Sequence, residues 1–221
     1  NVVGNIQFDG SNDYASLVRD NSDLTDGFTV VVWFNAGDLD ASGYSDQGWL
    51  LNFGTYTPEF GVSSSQCTGD ISGLASYGFG NSTKTWCDVR IEIDTWYQAV
   101  WRNNDDGTID AWVNNQKDST AVTGYSTAGT GDNFYLASEG SSGDHPLETK
   151  IAQVLVYDRS LTDAEVGQLW DGDKARFNLA YKVPAVTSGL VVSLDVANSA
   201  SYDVADPTVW TNTIDDVEGA L

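Results

Sequence analysis

The chain has 221 residues, with 10 basic against 32 acidic side chains and a formal net charge of −22. That balance repels phosphate backbones and anionic bilayers, which argues against nucleic-acid binding and recruitment to a membrane surface. No run approaches the roughly 20 apolar residues of a membrane span, so membrane insertion is not expected either.

The acidity suits a soluble protein in saline surroundings, where counterions screen the self-repulsion. The first residue is Asn and Met is absent, as in a processed product or a segment of a longer polypeptide. Trp, Tyr and Phe number 8, 10 and 8, and 22 Gly supply turns. With only one amphipathic helical stretch, at 161–170, this composition predicts an all-β fold: a two-sheet antiparallel sandwich, at this length a single main domain.

In chain order, IQFDGSNDYASLV (residues 6–18) opens as a strand, turns at 9–12 and resumes through Tyr14 and Leu17. FTVVVWF (28–34) is the most apolar run and should be a central strand buried on both faces. Residues 40–48 are expected to be loop, 49–53 and 60–62 short strands, and the stretch between Cys67 and Cys87 a long excursion. IDTWYQAVWRNNDDGTIDAWVNN (93–115) is the organising element, two alternating strands joined by a polar run ending in Gly107. Tyr97, Ala99 and Trp101 share one face, as do Ile109, Ala111 and Val113, while Trp96 and Trp112 fall opposite. Asn114 and Asn115 supply a second turn signal. Further strands are predicted at 134–137 and at IAQVLVY (151–157). Beyond them Thr162 and Glu165 have capping-box spacing, opening one short helix whose Leu161, Val166, Leu169 and Trp170 would cover a sheet edge or barrel end.

Taken in order, FDGSNDY, FTVVVWF, the hairpin from Trp96 to Asn115 and the 151–170 strand and helix resemble the landmarks of the laminin-G-like, concanavalin A-like jelly roll over residues 1–176. The resemblance implies two curved antiparallel sheets used for glycan binding, adhesion or purely structural ends. Two details resemble the version found in tailed-phage virion proteins. DKARFNL (173–179) is similar to the ending that follows the helix there, and GLVVSLDVANSASYDVADPTVW (189–210) is similar to the opening of such a module, displaced to its far end.

The intervening linker, 177–188, spans about 40 Å when extended, enough to return across the domain. Residues 189–221 would therefore pack on their own domain as a permuted first strand, pair with a neighbouring subunit's open edge, or begin a second module. The expected role is a non-catalytic structural or adhesion module of a virion or other extracellular surface, with other surface subunits as partners in an oligomer. The competing expectation is an extracellular glycan-binding, lectin-like domain.

Cys67 and Cys87 would form one disulfide in an oxidising compartment or remain two buried thiols. Two cysteines and a distant His make no zinc site. Among glucanases of this fold, catalytic carboxylates lie on a strand as E-x-D-x-E or E-x-D-x-x-E. Here Glu92 and Asp94 are followed by Trp96 and Tyr97, so one partner of a retaining pair is missing and no catalytic residue is assigned. His145 is expected to be a surface histidine. Asp9, Asp13, Asp105 and Asp106 place oxygen ligands in loops, where relatives of this fold bind calcium and where solvated turn acids are commonplace. No other cofactor is implied. Aromatic faces grip sugars through CH contacts, which makes Trp96, Trp112 and Trp49 glycan-binding candidates, with Trp33 and Trp86 behind them. Asn81-Ser82-Thr83 is a glycosylation sequon if a eukaryotic secretory host makes the chain.

Overall fold

The computed structural model describes residues 4–21, 24, 27–38, 47–54, 58–67, 71–77, 83–120, 122–123, 133–139, 145–178, 188–195, 201–203, 206–213 and 217–220. Most of the expected loop at 40–48, most of the expected linker, and Asn81 and Ser82 of the sequon lie outside these residues. Among the described residues seventeen strands and one helix are formed: β1 Ile6–Asp9, β2 Ala15–Val18, β3 Phe28–Ala36, β4 Gln47–Asn52, β5 Glu59–Cys67, β6 Ile71–Tyr77, β7 Lys84–Trp86, β8 Trp96–Asn103, β9 Thr108–Val113, β10 Gln116–Lys117, β11 Val122–Thr123, β12 Asn133–Leu136 and β13 Glu148–Tyr157, then α1 Asp163–Asn178, then β14 Leu190–Asp195, β15 Tyr202–Asp203, β16 Asp206–Asn212 and β17 Val217–Ala220. Among the described residues no helix is long and apolar enough to cross a membrane.

The strands form two antiparallel sheets. Sheet A runs β1-β13-β3-β8-β9-β10, with β11 also against β9 and β14 also against β13; sheet B runs β15-β16-β17-β2-β12-β4-β5-β6-β7. Period-two alternation divides each strand between two environments. From β3, Phe28, Val30, Val32 and Phe34 enter the core between the sheets, where Phe53, Phe60, Trp101 and Phe134 meet them. Val31 points the other way, into a second apolar layer with Val100, Leu155 and Tyr157. That layer is what α1 covers through Val166 and Leu169, with Leu161 just ahead of it, so the helix lies on the outer face of sheet A rather than at an edge.

Local chemistry explains the joints. The β8–β9 hairpin closes with Asn104 N–H donating to Thr108 O at 2.8 Å and Gly107 N–H to Asn104 O at 3.0 Å, and Gly107 holds φ at 79°. Asn114 and Asn115 both adopt left-handed φ, 51° and 66°, and turn the chain into β10. The capping box is reciprocal: Thr162 N–H donates to Glu165 Oε2 at 2.8 Å, and Glu165 N–H to Thr162 Oγ1 at 3.3 Å. The Arg159 guanidinium grips the same carboxylate, and together they hold it down at about 2.

Two elements depart from the sequence-based expectation. The stretch between the cysteines is no excursion, because β6 and β7 pair in succession beside β5. Its Gly and Ser residues disguise an alternation in which Leu74 and Trp86 enter the core. The helix also continues to Asn178, well past Trp170. Phe177 and Trp170 both stack on Trp33, and this tertiary contact holds turns whose Asp171, Gly172 and Asp173 have poor helix propensity.

Cys67 and Cys87 are joined, with a Cα–Cα distance of 5.7 Å across a sequence separation of 20. Closing a loop of that size stabilises by about 3 kcal/mol on the chain-entropy model. The Cys67→Ser, Cys87→Ser double variant is expected to lose about that amount in urea titration; an unchanged midpoint would mean that the β5–β6–β7 ladder constrains the segment by itself.

Candidate functional site

Where α1 crosses sheet A, its C-terminal half leaves a groove of about 600 Å³ lined by Trp33, Trp96, Trp170 and Phe177, with Asp94 and Asn114 on its rim. Phe177 lies 3.9 Å from Trp33 between ring centroids at an interplanar angle of 14°, and Trp170 lies 5.5 Å away at 10°. Trp96, half-buried, tilts against Phe177 at 5.0 Å and 37°. The rim is fixed by left-handed turn residues. Asp94, at φ 57°, donates its N–H to Ala36 O at 2.8 Å and delivers the chain into β8 at Trp96. Asn114 exchanges two bonds with Gln98: Gln98 N–H donates to Asn114 Oδ1 and Asn114 N–H to Gln98 O, both at 2.9 Å. Flat aromatic faces beside a carboxylate, an amide and the Lys174 ammonium suit a ligand with one apolar face and several hydroxyls.

The three predicted glycan-binding tryptophans fall in different places. Trp96 lines the groove, but Trp112, 3% exposed, is enclosed beneath α1 between the Arg102 guanidinium at 4.7 Å and the Lys117 ammonium at 5.1 Å. Arg102 is itself held by Asp110, Asp163 and the Leu161 carbonyl. Burial works against the Asp110 charge, yet hydrogen bonds from Asn104, Arg102 and Lys117 outweigh it and hold that carboxyl below its usual range. Trp49, 1% exposed, sits on the outer side of sheet B with its ring 6.3 Å from His145. Neither presents a face to solvent, and Trp86 is likewise buried.

The calcium candidates lie at opposite ends of sheet A. Asp9 is the register partner of Glu148, whereas Asp105 and Asp106 belong to the hairpin that follows Asn103, partner of Phe28. Their oxygens serve turns: Asp9 Oδ1 accepts from Ser11 N–H at 2.8 Å, Asp13 Oδ2 from Asp9 N–H at 3.2 Å, and Asp106 Oδ1 from Thr108 N–H at 2.9 Å. Among the described residues no three or more His, Cys, Asp or Glu side chains are grouped to hold a metal ion. Glu92 and Asp94 precede β8 instead of lying on a strand, and Glu92 faces Arg90 at 4.0 Å.

A buried polar cluster on sheet B escaped the sequence reading. Glu59 is 1% exposed and accepts from Asn52 Nδ2 at 2.9 Å, while the same amide nitrogen donates to Glu139 O at 3.2 Å. The Glu139 carboxylate pairs with His145 Nδ1, so this histidine is half-buried and engaged, not a free surface residue. Desolvation, with the Glu139 charge adding to it and the Asn52 bond opposing, pushes the Glu59 carboxyl up to about 8. The usable signal was Glu59 standing one position from Phe60 and three from Val62, which enter the core from the same strand.

Residues 9–167 match the family model for the concanavalin A-like lectin/glucanases superfamily of the laminin G type. Solved structures with the same fold include a candidate carbohydrate binding protein from Bacteroides ovatus, with TM-score 0.68 and 15% identity, covering 98% of this chain. This chain spans 56% of that protein's length. A heptameric SAP-like pentraxin from Limulus polyphemus follows at TM-score 0.62 and 14% identity, with 86% of this chain and 91% of that one covered. A Trypanosoma rangeli sialidase gives 0.56 and 15%, covering 80% of this chain and 28% of its own. At such identities these likenesses establish fold alone, and no curated protein matches the chain. With a family model covering well over half of its length and the matching two-sheet architecture, the chain belongs to the laminin G-type family of the concanavalin A-like lectin/glucanases superfamily.

Proposed function

We propose that the chain is a non-catalytic, glycan-binding, lectin-like domain of an extracellular or surface protein, binding its ligand in the groove beside Trp96. The observation that carries this reading is the groove itself, where a half-buried Trp96 faces Trp33, Trp170 and Phe177 under a polar rim. Such a surface takes the CH face of a sugar on the Trp96 ring and its hydroxyls on Asp94, Thr95, Asn114 and Lys174. The joined cysteines support an oxidising, extracellular setting. The Bacteroides ovatus structure adds a carbohydrate-binding precedent for the fold. Glu92 and Asp94, off the strands and without a second glutamate, favour binding without hydrolysis. A narrower role as a virion subunit rests on the sequence likeness of 173–179 and 189–210, to which neither fold nor relatives add.

The test is retention on a panel of neutral polysaccharides by affinity electrophoresis, followed by calorimetry on the best ligand. Trp96→Ala is expected to weaken binding at least about tenfold, the loss typical of a stacked aromatic anchor. Equal binding by the variant, or no retention of the native chain on any polysaccharide, would overturn the reading.

A further inference from the structure

Four side chains from four adjacent strands form one row on the outer face of sheet A. Gln98 of β8 is the register partner of Trp33 of β3; Trp33 is the partner of Gln153 of β13; and Gln153 is the partner of Asp195 of β14. All are buried, at 0%, 2%, 1% and 4% exposure. On the same strands Val31, Val100 and Leu155 belong to the apolar layer under α1, yet the row is polar and incompletely bonded. Both Gln98 amide atoms, Trp33 Nε1 and Gln153 Oε1 have no hydrogen-bond partner, and Gln153 Nε2 donates a long bond to Asp195 Oδ2 at 3.4 Å. Buried polar groups left unpaired are costly and rare, and a Leu at either Gln position would be the better core residue. Amides and an indole N–H facing one way are, however, what a polyhydroxylated ring requires.

The Trp33 end of the row is occupied by the chain itself. Phe177 lies nearly parallel on the Trp33 ring at 3.9 Å and 5.0 Å from the Trp96 ring. It belongs to the last turn of α1, which ends at Asn178, and terminal helical turns open at low cost.

Building on the glycan-binding reading, we propose that this row is the floor of a deeper sugar subsite continuous with the Trp96 groove, and that Phe177 is an internal plug standing where a pyranose ring stacks on Trp33. When the last turn of α1 opens, the ring stacks on Trp33 and its hydroxyls meet Gln98, Gln153 and Asp195. The ligand is a neutral hexopyranose chain. Asp94 on the rim, Asp195 in the floor and the net charge of −22 disfavour a carboxylated or sulfated one.

The experiment compares the full native chain with Phe177→Ala, Gln98→Leu and Trp96→Ala on the same neutral polysaccharides, reading affinity by calorimetry and the ligand-free melting temperature. Phe177→Ala should bind about tenfold tighter, because the plug no longer competes. Gln98→Leu should bind at least about tenfold weaker while melting about 3 °C higher, since it removes unpaired polar atoms that only the ligand satisfies. A merely structural Gln98 would not move affinity and stability in opposite directions. Phe177→Leu, which keeps an apolar contact without stacking, should also bind tighter and replaces the alanine variant if that one does not fold. Loss of binding in Trp96→Ala alone, with the Phe177 and Gln98 variants binding like the native chain, overturns the plug and leaves the groove standing. Retention of none of the four chains on any polysaccharide overturns both.

Discussion

A chain ending at Ser188 is expected to lose its cooperative thermal transition at temperatures where the full chain remains folded. The segment that follows places β14 along the edge of β13, from Gln153↔Asp195 to Tyr157↔Leu190, while β1 holds the same edge from Ile6↔Ile151 to Asp9↔Glu148. Two strands from opposite ends of the sequence thus lie end to end on one side of β13. Further on, β17 pairs with β2, so the segment adds to both sheets. Val192 and Leu194 are buried in the main core. Leaving these two side chains in water forfeits about 4 kcal/mol before any lost ladder bond is counted. Natural domains have about 5 to 15 kcal/mol of stability in total. Circular-dichroism melting and sedimentation of the full and shortened chains measure the effect. Adding residues 189–221 back as a separate peptide should restore the transition. Identical melting of the two chains would refute a role for the segment in the domain. An oligomeric full chain with a folded, monomeric shortened form would mean instead that β14 is exchanged between subunits.

The same segment shows how far the sequence could be read. Period-two alternation gave the principal strands, because Phe28 to Phe34 and Tyr97 to Trp101 obey the pleat whatever surrounds them. The capping box gave the start of α1 for the same reason, its geometry being local. The end of α1 was not local. Phe177 is helical because Trp33, 144 positions earlier, offers it a ring. The candidate site has the same division. Trp96 and Trp112 share a face of the hairpin, and only the path of α1 decides that one lines a groove while the other is enclosed. Gln98 and Gln153 were visible as polar interruptions of WYQAVW and IAQVLVY, but their meaning depends on the Trp33 strand lying between them. The groups that act on Glu59 are Asn52, seven positions away, and Glu139, which is distant in sequence.

Glu59→Gln is expected to stabilise the protein strongly at alkaline pH and hardly at all in acid. The Glu59 carboxyl is raised from 4.5 to about 8, first by burial and then by the neighbouring Glu139 charge, against the favourable bond from Asn52. A raised folded-state value means that the native chain holds the proton more tightly than the unfolded chain does. The stabilisation from that proton is complete below about pH 4.5 and is lost as pH rises towards and through 8. At about 1.4 kcal/mol per pH unit of difference, the full swing is on the order of 5 kcal/mol. Gln keeps the shape and the carbonyl oxygen that Asn52 Nδ2 reaches at 2.9 Å, and it has no charge to bury. Urea titrations of both chains at pH 4, 7 and 9 should therefore show nearly coincident midpoints at the lowest pH and a gap that widens with each step. Subtracting one chain from the other cancels the contribution of carboxylates that do not interact with Glu59. A gap independent of pH would mean that Glu59 is ionised in the native state. In that case the cluster around Asn52 is a charged network, and not a buried protonated acid on β5.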